Sequence, residues 1–432
     1  MSLDRIASDL DSNVGTIAWS VTGPMLAVAL SMPLAGKLGD LRGHRRVFLA
    51  GFSVFTVFTG LAAFAWSPES LIALRVLGAF GGAATGPASM AIVMHHFTGD
   101  DRVRAMGWWQ LVGAGAPVIG LAIGGPVVDL VGWRSIFLGQ FGFAVVALVV
   151  ATVVLRDTGE RRDAKLDVAG AATLGLAVVV VLLALSRGGT AGWGRPEVPV
   201  LVAIGLVMVL VFVGIERRAD EPILPLTFFA QRNFTASVLT QFAANFAYMG
   251  SFIVSPLLVR DRFGFTTGMA AAAMAVRPLV FSTASPVSGY VAVKVGERRM
   301  SILGMGLVFG SMFAFAAASS NDQLAFVFVG LAVAGLGMGV AVPSLVTVVG
   351  DTVDAANLGA ANAAQSMIAT LGASTGMQVL STVQQSRTGA SGFTTAYIVG
   401  AVGAGLALFG STFVRSHRLR HQLSVARSAN AA

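Results

Sequence analysis

GKLGDLRGHRR, Gly36–Arg46, is the stretch on which the reading of this chain turns. One acid, Asp40, sits among Lys37, Arg42, Arg45 and Arg46, with Gly36 and Gly43 on either side. Glycine there permits a tight turn and a close approach of two backbones. The stretch lies between two apolar runs, Thr16–Ala35 and Val47–Trp66. Each run has about the 20 residues that a helix needs to cross a hydrocarbon core of about 30 Å. A second stretch, GYVAVKVGERR, Gly289–Arg299, repeats the glycines and the terminal Arg pair in the same register. It too follows an apolar run. Two halves with matching loops mark a chain built from a repeat.

Eleven more apolar runs follow the same rule: Leu71–Met94, Ala105–Val128, Trp133–Val154, Val168–Leu185, Val198–Ile215, Phe234–Leu258, Thr267–Val291, Met300–Ala318, Gln323–Val349, Leu358–Val383 and Phe393–Phe413. Thirteen runs in 432 residues leave no room for a soluble domain. Composition agrees. Hydrophobic residues make up 55% and charged residues 12%, too few charges to cover a soluble surface. The expected fold class is all-α, polytopic and embedded in a lipid bilayer. Cysteine is absent, which excludes disulfides and thiolate metal sites. The pI of about 10.9 comes from short basic bursts between apolar runs, not from a basic domain, so nucleic acid is not an expected partner. The opening residues, MSLDRIASDLDSNVG, are polar and acidic, unlike a secretory leader.

Charge predicts the orientation. The loops on the side of Gly36–Arg46, with the basic tail, carry 20 Lys and Arg, and the opposite side carries 7. Arg75 and Arg277 lie within runs. The first side is expected in the cytoplasm, with the C-terminus there and the N-terminus outside.

Gly36–Arg46 resembles the loop signature G-x-L-x-D-x-x-G-x-R-R of the major facilitator superfamily. Four further segments agree in order. Leu71–Ala88 looks like the family's intramembrane-Arg motif, and Gly113–Asp129 like its Gly/Pro antiporter motif. Gly132–Phe137, GWRSIF, follows as in drug exporters, and Glu216–Phe234 resembles the linker of the 14-span drug:proton antiporter subfamily. The resemblance implies an N-terminal bundle over 1–155, two extra helices and linkers over 156–233, and a second bundle over 234–414. A basic cytoplasmic tail, 415–432, completes the chain. It also implies a bacterial inner-membrane protein, read as a monomer, that exchanges small molecules for protons without a cofactor. Two departures stand out. Val293 replaces the family's acid in the second loop copy, and thirteen runs stand where the subfamily has fourteen. The missing run is the first, because Ser2–Leu10 looks like the exit of such a helix; the expectation is that an acid-bearing helix precedes it or has been lost.

The candidate gate is Gly36, Asp40, Gly43, Arg45 and Arg46, in which Asp40 could latch onto an Arg or onto a neighbouring helix N-terminus. The plainer reading is a topogenic basic loop. Arg75, about a turn from the outer end of its run, either snorkels to the surface or faces a cavity. Arg277, deep in its run and followed by Pro278, is either a coupling or substrate site or a structural cation satisfied by carbonyls. Gly113, Ala116, Gly120 and Gly124 share a face on which another helix could pack closely, and Pro117 adds a kink; the motif reads as a stiff hinge. Gly372 and Gly376 repeat that pattern more weakly. Trp109, Gln110, Gln241, Asn245, Tyr248, Asn362 and Gln365 could line a substrate cavity or join helices by hydrogen bonds. His95 and His96 point in different directions and do not suggest a metal site. No phosphate-binding G-x-x-x-x-G-K-[ST] loop occurs. All 21 acids lie in loops or at run ends, so a coupling proton would need a rim acid such as Asp40 or Asp129. The function expected is proton-coupled export of amphipathic or hydrophobic compounds. The alternatives are export of one native metabolite or lipid, and a transport-dead membrane protein.

Overall fold

A computed structural model describes residues 2–156, 167–192, 194–219, 221–387 and 389–415. The side chains of Pro117, Gly124 and Asp129 lie outside the described set, as do Arg161, Arg162, Lys165 and the tail from 416. The described residues form helices and no strand. The first bundle contains α1 (Ser2–Asp9), α2 (Val14–Arg42), α3 (His44–Ala62), α4 (Pro68–Gly82), α5 (Thr85–His96), α6 (Gly99–Val131) and α7 (Arg134–Val154). Two inserted helices, α8 (Val168–Ala191) and α9 (Glu197–Glu216), and the short α10 (Thr227–Ala230) follow. The second bundle contains α11 (Arg232–Phe263), α12 (Thr267–Met274), α13 (Val276–Val295), α14 (Glu297–Asn321), α15 (Leu324–Gly350), α16 (Leu358–Gln385) and α17 (Ala390–Ser411).

Each of the thirteen apolar runs lies on a helix or on a broken pair. Leu71–Met94 becomes α4 and α5, and Thr267–Val291 becomes α12 and α13. Among the described residues, ten helices or pairs are long and apolar enough by themselves to cross a membrane. The other three runs fall on α6, α8 and α16. In α16 the reason is placement. It packs against α11, α17, α2, α5 and α8, so its Asn, Gln and Ser residues meet protein on most sides and need less apolar surface.

Local chemistry places the ends. Ser67 and Ser70 form a reciprocal cap at the start of α4. Gly43 (φ 92°, ψ 127°) turns the chain between α2 and α3, and Gly296 (φ 93°, ψ 146°) makes the matching turn between α13 and α14. The break before Arg277 and Pro278 falls at Ala275. Pro278 then sits in the first turn of α13, where its missing N–H costs little.

The closest helix contacts are not where the Gly/Pro motif predicts them. A Cβ at Gly120 would meet nothing within 4 Å, and one at Gly113 would meet only Gln110 of its own helix, at 3.9 Å. Among the described residues, the close approaches of α6 come earlier, with Gly107 against the Ser285 carbonyl and Val103 against Gly289 of α13. Gly372 and Gly376, the weaker copy, are far tighter. A Cβ there would stand 2.2 Å from the Phe242 carbonyl oxygen and 2.0 Å from that of Phe246. Equal spacing of small residues thus marks a possible seam, and the neighbouring backbone decides which seam is used.

At the end opposite Gly36–Arg46, α1 is tied down by Asp9. Its Oδ2 accepts the Trp133 indole N–H at 2.9 Å and pairs with Arg134. These two donors, the indole first, hold the Asp9 carboxyl below its ordinary range.

Two outcomes follow from these contacts. Gly376→Ala should lower the unfolding midpoint in detergent by an amount corresponding to about 1–3 kcal/mol, while Gly120→Ala should leave it unchanged. Equal effects would contradict the α11–α16 contact. The carboxylate of Asp9 favours the folded contact above the unfolded carboxylate pKa, and this is lost as pH falls through its lowered value. Trp133 emission should therefore change on acidification in the wild type and not in Asp9→Asn.

Candidate functional site

The site begins with an uncapped helix. Asn357 precedes α16 but makes no side-chain cap bond. A helix start leaves N–H groups without intrahelical partners and carries a partial positive charge. Asp40, near the C-terminal end of α2, supplies what is missing. Its Oδ1 accepts the Gly359 N–H at 2.7 Å and its Oδ2 accepts the Ala360 N–H at 2.8 Å. The carboxylate is buried. It thus caps, from the first bundle, a helix of the second. Of the two partners the sequence allowed, the helix terminus is the one found.

Gly36 makes the contact possible. A Cβ there would lie 2.5 Å from the Gly359 carbonyl oxygen, and a Cβ at Gly359 would lie 2.3 Å from the Gly36 carbonyl oxygen. The two backbones cross with no side chain between them. His44 adds its Nε2 at 3.3 Å from Asp40 Oδ1. Arg45 turns to α7, donating from Nε to the Leu155 carbonyl and from Nη2 to the Thr152 carbonyl, each at 2.7 Å. Arg42 and Arg46 are exposed. Gly43 provides the positive-φ turn.

Three partners were not read from the sequence. Lys37 is buried and pairs with Glu221 at 2.9 Å, joining α2 to the segment after α9. Arg102, at the start of α6, pairs with Asp351, just past α15, and also donates to the Met94 carbonyl at 2.7 Å. His44, one helical turn from Asp40, was not among the residues singled out there. Lys37 and Arg102 are ordinary charged residues whose partners lie far away in the chain, so spacing carries no signal of them, whereas Asp40 and His44 stand four residues apart, a spacing that brings side chains together on a helix.

Arg75 is half-buried. It lines a small cavity of about 100 Å³ with Pro24 of α2, Thr59 of α3, and Phe137 and Gln140 of α7. Its guanidinium lies 5.5 Å from the centre of the Phe137 ring. Arg277 is fully buried. Its guanidinium carbon is 3.4 Å from the centre of the Tyr248 ring, Nη1 donates to Ser251 at 3.2 Å, and Nη2 donates to the Tyr248 carbonyl. Tyr397 approaches the same region and shares a 3.1 Å hydrogen bond with Ser255. Arg277 therefore ties α13 to α11, with one bond to a carbonyl and one to a hydroxyl, while its Nε is buried without a hydrogen-bond partner in the protein.

The seven polar midspan residues fall in different places. Trp109 donates to Ser89 at 3.2 Å between α6 and α5. Gln110 is half-buried beside Gly113. Along α11, Asn245 donates to the Gln241 carbonyl at 2.9 Å, and Tyr248 lies under Arg277. On α16, Asn362 lies against the Met94 sulfur at 3.6 Å. Gln241 Nε2, Asn362 Oδ1 and both polar atoms of Gln365 are buried without a hydrogen-bond partner in the protein. Such groups cost about 1–3 kcal/mol each unless something else satisfies them. His96 engages the Ile92 carbonyl at 2.9 Å and does not face His95 across a ligand.

A larger recess of about 730 Å³ lies between α2, α3, α4 and α8, lined by Leu30, Leu34, Val54, Phe80 and Leu176 among others. Ser31 is on its wall, but that hydroxyl is turned back to the Ala27 carbonyl. The recess is apolar.

Two bundles joined through a capped helix end, with polar groups buried between them, can be compared with known proteins. The multidrug transporter protein MdtP of Bacillus subtilis is 27% identical over 389 residues, covering 90% of this chain and 72% of that protein. The tetracenomycin C resistance and export protein of Streptomyces glaucescens is 26% identical, covering 89% and 72%. In fold, the chain is similar to the human organic anion transporter MFSD10 (TM-score 0.66, 17% identity, 95% of this chain and 88% of that one). It is also similar to the proton:xylose symporter XylE (TM-score 0.64, 14% identity, 96% and 91%). The family profile of the Major Facilitator Superfamily matches residues 1–377. With the paired loops at Gly36 and Gly289, the two bundles and this match, the chain belongs to the Major Facilitator Superfamily.

Proposed function

We propose that the chain exports amphipathic or hydrophobic small molecules across a bacterial inner membrane in exchange for protons. The end carrying Gly36–Arg46 faces the cytoplasm, as the excess of Lys and Arg there requires. The observation that carries the reading is the seat of Asp40 on the start of α16. It is a contact between the two bundles, made by one carboxylate and two backbone N–H groups. Such a contact can form in one state of the transporter and break in the other. Arg102 with Asp351 adds a second tie between the bundles.

Closure at that end would leave a midplane site reached from the other face, the arrangement used in alternating access. Gln241, Asn362 and Gln365 are the polar groups that a substrate would satisfy, and their buried, unpartnered atoms support that role. The apolar recess beside α8 suits a substrate that arrives through lipid. The names of MdtP and the tetracenomycin C protein support export of drug-like compounds. No acid lies in the middle of a run, so coupling would act through a rim carboxylate. A proton on Asp40 would remove the charge that α16 attracts and so favour opening. Proton and substrate would then favour opposite states, each only by its differential affinity.

Three measurements test this. In proteoliposomes with an imposed pH gradient, adding substrate should move protons; flux that neither saturates nor moves protons would refute exchange. Asp40→Asn should keep normal membrane abundance, shift the closed-to-open balance by about tenfold (about 1.4 kcal/mol), and slow efflux. Normal efflux at normal abundance would remove Asp40 from the mechanism. Arg277→Ala should reduce efflux more than Arg277→Lys, because Lys keeps a cation beside the Tyr248 ring but loses the planar fork. Wild-type transport by the Ala variant would make Arg277 dispensable.

A further inference from the structure

A second pair of acids lies apart from the Asp40 contact. Glu216 ends α9 and is 4% exposed. Its Oε1 accepts the Leu224 N–H at 2.5 Å, while Oε2 has no hydrogen-bond partner in the protein. Asp167 caps α8 by accepting the Gly170 N–H on Oδ1 at 2.8 Å, and its Oδ2 is likewise buried and without a partner. The two free oxygens face the same point. A Cβ added at Gly170 would stand 2.3 Å from Asp167 Oδ2 and 3.0 Å from Glu216 Oε2. The oxygens are therefore no farther apart than those two distances together. Glycine at 170 leaves room for both.

Among the described residues, no basic side chain hydrogen-bonds to either free oxygen. From α2 comes Lys37, whose ammonium is bound to Glu221 at 2.9 Å and reaches Glu216 only through its longer-range field. From the segment after α9 come Glu221 itself and the N–H groups of Ile223 and Leu224. From α9's own end come Arg217 and Arg218, both exposed. Two carboxylates this close, shielded from water, resist ionising together, so the pair holds one proton more tightly than either acid would alone. A divalent cation would want six or more oxygens, and no cluster of three metal-binding side chains occurs among the described residues.

The location gives the proton a consequence. Glu216 holds the backbone of Leu224, and Leu224 and Ile223 are buried in an apolar cluster that also contains Ala29 of α2, Leu174 of α8, Val349 of α15 and Ala364 of α16. That cluster joins the two bundles through the inserted helices. We propose that Asp167 and Glu216 form a proton-binding site, one proton held between two carboxyls, that sets how firmly the inserted helices clamp the bundles together. Loss of the proton leaves two carboxylates, and their mutual repulsion strains the seat of Glu216 against α8. The proposal holds whether or not export is proton-driven.

The test uses the full chain in lipid nanodiscs and two readouts that need no transport, so failure here leaves the export reading standing. Infrared titration from about pH 5 to about pH 9 should show the C=O stretch of a protonated carboxylic acid that disappears as pH rises. The band should be missing in Glu216→Gln. In Asp167→Asn it should disappear at lower pH, because the repelling charge is gone. The sign for stability follows. A carboxyl that keeps its proton only in the folded state makes stability fall as pH rises. The wild-type unfolding midpoint should fall over this range more steeply than that of Glu216→Gln. Identical titrations in the wild type and Glu216→Gln would overturn the proposal. So would a band that moves with added Na⁺ or Ca²⁺ at constant pH, since that would mark a cation site.

Discussion

The arrangement of this protein depends on a helix that does not cap itself. At the start of α16 the N–H groups of Gly359 and Ala360 would be buried without partners if Asp40 were absent. Their partner comes from a helix more than three hundred residues earlier in the chain. A buried carboxylate is costly alone, and a buried helix start is costly alone. Each removes the cost of the other only while the two bundles touch. Stability at this point is therefore a property of the conformation in which the two bundles touch.

The repeat makes the asymmetry visible. Gly43 and Gly296 make the same turn with nearly the same dihedral angles, so the two loops are built alike. Gly36 crosses α16 at Gly359, and Gly289 crosses α6 at Val103. In the register of Asp40 the second loop has Val293, which packs with Val103, Ala292, Met300 and Val340. One crossing is held by charge and the other by apolar contact. The α6–α13 crossing rests on apolar packing, whereas the α2–α16 crossing rests on one carboxylate and two backbone N–H groups.

The inserted helices are more than spacers between bundles. Side chains from α8, α9 and the following segment share a buried cluster with α2, α15 and α16. Lys37 fixes the same region through Glu221. The linker thereby touches the helix that bears Asp40 and the helix that Asp40 caps. Any change in how the linker sits is felt at the crossing, because packed interfaces shift between discrete arrangements rather than deforming gradually.

The sequence by itself determined the membrane class, the thirteen apolar helical segments, the repeat and the place of Asp40 as the one acid among its bases. These depend on composition and short-range order, which a linear reading contains. Asp40's chemistry was legible because an acid in a basic loop must find a donor, and a helix start is one. The tertiary structure alone decided that the donor belongs to α16, that Lys37 answers Glu221 and that Arg102 answers Asp351. It also decided that Gly372 and Gly376, rather than Gly113 and Gly120, lie against another backbone. Arg277 and Tyr248 were both singled out, yet only packing showed one lying on the other. The physical reason is the same in each case. A residue's type states what contact it needs, but which partner meets that need depends on how helices distant in the chain pack in space.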